Sequence, residues 1–209
     1  MTRKLMEARA VLHQVQISPT VSNSVRKQIY LQLIGDRPRI PWKSLIIDNT
    51  ARQEAQFTIW LYVQDILLTV DRLTKWEMSI DQQCVLCQTH NETRDHLFLH
   101  CEFSVKVWYK VMNWIQQPQF LNTDWGQHIQ WAICKVKGKS QAARLFKMVY
   151  IETIYALWIE RNQGIFEKRR RDWLAIAKDV AYICSVRAAT GLRNCRSAPI
   201  LISICSASC

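Results

Sequence analysis

The sequence predicts a mainly α protein, an irregular helical bundle with short connectors. Three observations predict it. Hydrophobic residues make up 49% of the 209, enough to bury a core. Gly and Pro number five each, so breakers are few and connections short. Helix formers and aromatics are frequent, and apolar residues recur at three- and four-residue spacing along several stretches.

In chain order, residues 2–16 read as a short helix with basic and apolar faces, ended by Ser18-Pro19. Residues 22–34 follow as a second helix with Val25, Ile29 and Leu33 on one stripe and Gly35 as its stop signal. Pro38 and Pro41 make 36–42 an extended connector. A helix over 53–70 has apolar residues on two faces: Phe57, Trp60, Leu61, Leu67 and Leu68 on one, Ile59, Val63 and Ile66 on the other. That pattern predicts the central element of the core. Residues 103–115 read as a helix with Val107, Val111 and Trp114 inward. Residues 117–140 read as irregular, with a basic loop of Lys135, Lys137 and Lys139. A long helix over 141–167 carries Phe146, Val149, Tyr150, Thr153 and Leu157 on one stripe. Asp172 is placed to cap a last helix reaching Val186, and 192–209 is expected to be a disordered tail.

Cys84, Cys87, His96 and Cys101 form a Cys-x2-Cys-x8-His-x4-Cys set. Thiolates and imidazole hold Zn²⁺ tetrahedrally, and a two-residue gap lets both sulfurs of Cys84 and Cys87 reach one ion across a tight turn. Four protein ligands leave no place for water or substrate, which predicts one structural zinc and no catalytic one. This completes the fold class with a small zinc-bound Cys3His loop. His90 and His100 are rival ligands, but His90 follows Cys87 closely and His100 adjoins Cys101, so the spacing favours His96. Asp95 or Glu92 is placed to accept an imidazole N–H, and Glu92 also suits the first turn of a helix. The expected organisation is a basic helical segment at 1–47, a zinc-binding module at 48–116, a helical segment packed on it at 117–191, and the tail.

The formal net charge is +11, and it is unevenly spread. Residues 1–50 hold eight Lys or Arg against three Asp or Glu, 51–100 four against seven, and 101–209 sixteen against seven. An anionic partner would therefore meet the flanks and not the metal loop. Lys106 and Lys110 share a helix face with Asn113 and are candidate phosphate contacts, although a solvated face has the same pattern. Lys168, Arg169, Arg170 and Arg171 are the densest positive charge. They fit phosphate binding, a nuclear-import signal, or the C-terminal end of a helix dipole. The chain shows neither a leader pattern nor an apolar run of the roughly 18 residues that spans a bilayer. With cysteines scattered outside the metal set, it reads as an intracellular protein, nuclear or cytoplasmic, without a membrane partner.

These residues resemble the reverse transcriptase zinc-binding domain family, found downstream of the reverse transcriptase domain in plant LINE-type non-LTR retrotransposons. The resemblance is carried by Gly35-Asp36-Arg37-Pro38 with Pro41-Trp42, by Phe57-Thr58-Ile59-Trp60-Leu61, and by the stretch from Leu68 to Trp76. Its strongest part is Cys84-Val85-Leu86-Cys87 with Glu92 to Cys101 and Phe103 to Trp108. Leu157-Trp158-Ile159-Glu160-Arg161-Asn162 with Ile165-Phe166 is similar to the motif on the family's last long helix. It runs over most of residues 1–170 and implies Cys84, Cys87, His96 and Cys101 as ligands, with Trp60, Trp76 and Trp108 packed around them. Gln53-Glu54 replaces the family's usual Pro-Lys, and Glu77 stands where Gly is common.

A polymerase needs an acidic metal-binding centre such as Tyr-x-Asp-Asp, and the sequence has no adjacent Asp pair, P-loop or Ser-His-Asp arrangement. The expectation is a non-catalytic zinc module that binds RNA or DNA, with its parent reverse transcriptase chain as a possible partner and no small-molecule substrate. The alternatives are a structural zinc module for protein contacts and a decayed retrotransposon fragment.

Overall fold

Among the described residues five helices longer than ten residues carry the fold, and their ends are set by short-range hydrogen bonds. The computed structural model describes residues 40–76, 80–117, 124–138 and 140–191, with the side chains of the last two left aside. The helices expected at 2–16 and 22–34, most of the 36–42 connector and the 192–209 tail lie outside these residues. The described elements are α1 (Lys43–Ile46), α2 (Gln53–Val63), α3 (Val70–Thr74), a π-helical turn (His96–His100), α4 (Glu102–Trp114), α5 (Trp125–Lys135), α6 (Gln141–Phe166) and α7 (Trp173–Gly191). Among the described residues there is no strand beyond one isolated bridge, Gln83 to Asn91.

Helix α2 stops seven residues short of the expected Val70. Asp65 takes a left-handed φ of 56°, and the N–H groups of Ile66 and Asp65 bond the carbonyls of Leu61 and Tyr62 at 3.0 and 3.2 Å. This is a Schellman ending, which an Asp tolerates at modest cost. Helix α4 ends the same way at Gln116, φ 54°, with Gln117 bonded to Met112 and Gln116 to Asn113. Helix α5 lies inside the stretch expected to be irregular. Asp124 caps it by accepting the Gln127 N–H at 2.9 Å, and Ile129, Ala132, Ile133 and Val136 form its buried stripe. Ser140 caps α6 through the Ala143 N–H at 3.1 Å, and Asp172 accepts the Leu174 N–H at 3.1 Å as expected.

The central helix is α6, not α2. It buries residues on nearly every side, from Ala143 and Phe146 to Leu157 and Gly164. Helices α2, α4, α5 and α7 all pack on it, and α4 also lies along α7. Helix α2 buries Ala55, Thr58, Ile59, Tyr62 and Val63 but leaves Phe57 and Trp60 exposed, and the segment after it exposes Ile66 and Leu68. One hydrophobic cluster runs from Leu45 to Cys184. Trp108, Tyr150, His128, Trp131 and Phe146 interlock within it at centroid separations of 5.3 to 6.4 Å.

Three buried glutamates cross-link this core by one device: each carboxylate takes an Arg guanidinium and a backbone N–H. Glu92 is held by Arg161 through Nε at 3.0 Å to both oxygens and through Nη2 at 2.6 Å, and by the Val70 N–H at 3.0 Å. Glu152 is held by the Arg52 side chain and N–H, and Glu160 by the Arg171 side chain and N–H. The arginines differ in exposure. Arg161 is 4% exposed, whereas Arg52 and Arg171 are 34% and 45% exposed. Removing a partner is therefore costliest at Arg161, where the remaining charge cannot be hydrated.

Arg161→Ala should destabilise the zinc-loaded protein by about 3–5 kcal/mol in urea unfolding followed by Trp fluorescence. Arg171→Ala should cost clearly less. An Arg161→Met/Glu92→Leu pair should recover most of the loss, because it leaves no buried charge unpaired.

Candidate metal centre

Two short structures bring the four ligands together. The first is a knuckle built on the Gln83 to Asn91 bridge, in which the Cys84 N–H bonds the His90 carbonyl at 2.8 Å. Gln88 takes a left-handed φ of 57° and returns its N–H to the Cys84 carbonyl at 2.8 Å. That tight turn points Cys84 and Cys87 the same way.

The second is the π-helical turn. Thr93 starts it by accepting the His96 N–H on its hydroxyl at 3.0 Å and the Leu97 N–H on its carbonyl at 2.8 Å. The Cys101 N–H then closes on the His96 carbonyl at 2.6 Å, five residues back. In an α-helix residues five apart diverge by about 140°. The wider π turn instead stacks His96 near Cys101, so an extra residue in the turn sets the ligand geometry. Cys101 is also the cap of α4, its carbonyl accepting the Val105 N–H at 2.8 Å.

The ligand atoms of Cys84, Cys87, His96 and Cys101 all lie within 4.8 Å of one another. Cys84 Sγ and Cys101 Sγ are 3.9 Å apart, and Cys87 Sγ lies 3.3 Å from His96 Nε2. Zinc bond lengths place the edges of a tetrahedron at about 3.8 Å between sulfurs and about 3.6 Å between sulfur and nitrogen. The cluster therefore suits one structural zinc ion. Cys84 and Cys101 are fully buried and Cys87 and His96 half-buried. The Cys84 contact, aided by the Ser104 and Phe103 backbone at the start of α4, lowers the Cys101 thiol below its ordinary range. Burial, with His90 and His100 nearby, likewise lowers His96, favouring the neutral imidazole that a metal needs. When bound, zinc supplies a four-way cross-link between the knuckle and the entry to α4.

His90 and His100 are exposed outside this set, and His90 Nδ1 pairs with the Thr89 hydroxyl at 2.8 Å. Neither carboxylate expected to support the imidazole does so through the hydrogen bonds formed. Glu92 is committed to Arg161 and Val70, and Asp95 to Arg94. Of the three tryptophans, Trp108 is buried with its Nε1 on the Phe98 carbonyl at 2.8 Å, whereas Trp60 and Trp76 are 38% and 59% exposed. The two exposed rings do not pack around the ligands as the resemblance implied. The residues missed in sequence are Arg161 and Gly164 on α6. A Cβ at Gly164 would stand 2.9 Å from Val85 Cγ2, so the knuckle seats its valine where α6 has no side chain.

The basic candidates divide by environment. Lys106 and Lys110 are exposed on α4, with Lys106 paired to Glu102 at 2.6 Å. Lys168, Arg169 and Arg170 are exposed beyond α6, and Arg169 lies 3.8 Å from Glu167. Arg171 is engaged with Glu160 and Asp179, the latter at 2.7 Å.

Metal analysis of the purified chain should give one zinc per molecule, lost in Cys84→Ser and Cys101→Ser and kept in His90→Ala and His100→Ala. Gly164→Ala should destabilise by about 1–3 kcal/mol through overpacking, with part of the loss recovered in Gly164→Ala/Val85→Ala.

Residues 25–108 match the family model described as zinc-binding in reverse transcriptase. The match includes all four ligands, Glu92 and most of α4, while α5, α6 and α7 lie beyond it. No curated protein and no solved structure matches the chain. With the four candidate ligands inside the matched stretch, residues 25–108 are similar to the reverse transcriptase zinc-binding domain family.

Proposed function

We propose that the chain is a non-catalytic module that binds nucleic acid, derived from a plant LINE-type retrotransposon reverse transcriptase. The observation that carries this reading is the closed Cys3His set inside a stretch similar to the reverse transcriptase zinc-binding domain family. A closed set organises a fold without activating water, so function falls to the surface it holds in place. The net charge of +11 supports a polyanionic partner. Lys106, Lys110, Lys168, Arg169 and Arg170 are exposed and available to phosphates, while Arg171 serves the fold. The parent reverse transcriptase chain is a further partner, in the nucleus or cytoplasm. Among the described residues no helix is long and apolar enough to cross a membrane.

A protein-contact role is favoured by one observation, the stacked Phe57 and Trp60 rings 5.9 Å apart on the exposed side of α2. Neighbouring exposed residues on that face are Gln53, Glu54 and Gln64, which bring no cation. Such a surface suits a polypeptide better than a phosphate backbone.

Fluorescence anisotropy of the zinc-loaded chain on single-stranded RNA and duplex DNA, across a salt series, separates the readings. The nucleic-acid module should bind one of them near physiological salt, with affinity falling linearly in log salt. Weak, indiscriminate binding that vanishes with salt would reject it in favour of the protein-contact role.

A further inference from the structure

We infer that the zinc knuckle and the loop 167–172 form one surface that grips the phosphate backbone of a polynucleotide. The inference rests on the nucleic-acid reading above and assigns it a face.

The last turns of α6 provide the junction. Glu160, Arg161 and Gly164 fall within five consecutive positions, and residues three and four apart share a helix face. Glu160 accepts the Arg171 N–H at 2.6 Å and its Nε at 3.0 Å, which folds the basic loop back onto that face. Arg161 grips Glu92 at the end of the knuckle, and Gly164 receives Val85 from its tip. Two segments far apart in sequence are thus brought to one end of one helix.

The loop is held in a fixed shape. Lys168 takes a left-handed φ of 55°, and the N–H groups of Glu167 and Arg169 both bond the Gln163 carbonyl, at 2.9 and 3.4 Å. Gln163 adjoins Gly164, so the turn that starts the basic loop is pinned one residue from the knuckle contact. Lys168, Arg169 and Arg170 point to solvent, Arg169 at 80% exposure. Arg171 acts as a positioning residue.

The knuckle adds donors without repulsion. From Gln82 to Asn91 it has no carboxylate, and Gln83, Gln88, Thr89, His90 and Asn91 are exposed. The two glutamates beneath are each neutralised by an arginine. The C-terminal end of α6 contributes about half a negative charge, and Glu167, 3.8 Å from Arg169, and Asp172 lie exposed in the loop itself, so the cations of 168–170 exceed the nearby negative charge only narrowly. A row of cations beside neutral hydrogen-bonding side chains fits a phosphodiester strand with sugars and bases attached.

The test uses the full zinc-loaded chain with labelled single-stranded RNA and duplex DNA in a salt series, with zinc content checked throughout. Lys168→Ala/Arg169→Ala/Arg170→Ala should lower the slope of log K against log salt by about 2, each lost phosphate contact counting roughly 0.7 to 0.9. Thr89→Lys at the knuckle should raise it by about one contact. Gln141→Lys, about 35 Å away at the other end of α6, should leave it unchanged. If the wild type binds but the triple variant keeps its slope, or Thr89→Lys behaves like Gln141→Lys, this surface is overturned while the nucleic-acid reading stands. If the wild type binds neither polymer, both fall. Stronger binding to phosphatidylserine vesicles than to either polymer overturns the choice of partner.

Discussion

The contact between Glu92 and Arg161 joins the zinc knuckle to helix α6. Zinc closes a loop of eighteen residues from Cys84 to Cys101, but that closure is local and attaches the knuckle to nothing beyond the entry of α4. Glu92, inside the same loop, reaches 69 positions along the chain to α6. A buried pair is weak evidence for net stability, because desolvating both ions offsets much of their attraction. Its consequence here is specificity of docking. A carboxylate and a guanidinium with all-round partners can be satisfied in one register only, and a knuckle rotated or slid along α6 would strand both charges.

The same reasoning explains why three glutamates are buried with one pattern of partners. Each joins a segment that has little hydrophobic area of its own to a helix that has much. Arg52 precedes α2, Arg171 precedes α7, and Val70 opens the five-residue α3. At each, the backbone N–H at or next to the helix start would otherwise lack a partner, and a buried carboxylate supplies the acceptor. At α2 and α3 a carboxylate 100 and 22 positions away takes the place of the neighbouring Ser or Asp that many proteins use, whereas α7 keeps its neighbouring Asp172 as cap. That substitution makes helix initiation depend on tertiary docking.

This dependence marks where the sequence is legible and where it is not. The ligand set was readable because metal ligation imposes residue type and spacing together, and the helix cap at Asp172 because it acts within two residues. Helix α5 was also readable in principle, with Asp124 three residues before Gln127 and a buried stripe from Ile129 to Val136. Its small polar and aromatic residues masked that period. The end of α2 was not readable. Asp65, Gln116 and Lys168 adopt the left-handed conformation that usually signals itself by Gly, so the chain turns without its common marker. Nor could Glu92 be distinguished from a surface carboxylate, since its partner lies on another helix. Gly164 carries no sign of its role in the sequence, and only the position of Val85 shows it to be a seat.

The matched family stretch ends at Trp108, yet the charge it buries at Glu92 is neutralised from residue 161. Within the stretch alone, Glu92 would keep only the Val70 N–H, and Val85 would lose its seat on α6. Trp108 would lose the Tyr150 ring, and α4 would lose the helix α7 that packs along it. The physical unit that presents the zinc knuckle is therefore larger than the unit that defines it by sequence. Four ligands and a Trp suffice to recognise the knuckle, because they are local. Holding it in one orientation requires α6, and with α6 comes the basic loop at its end. Arg161 and Gly164, which dock the knuckle, lie next to and four positions from Glu160, which holds Arg171, so one stretch of α6 anchors both segments.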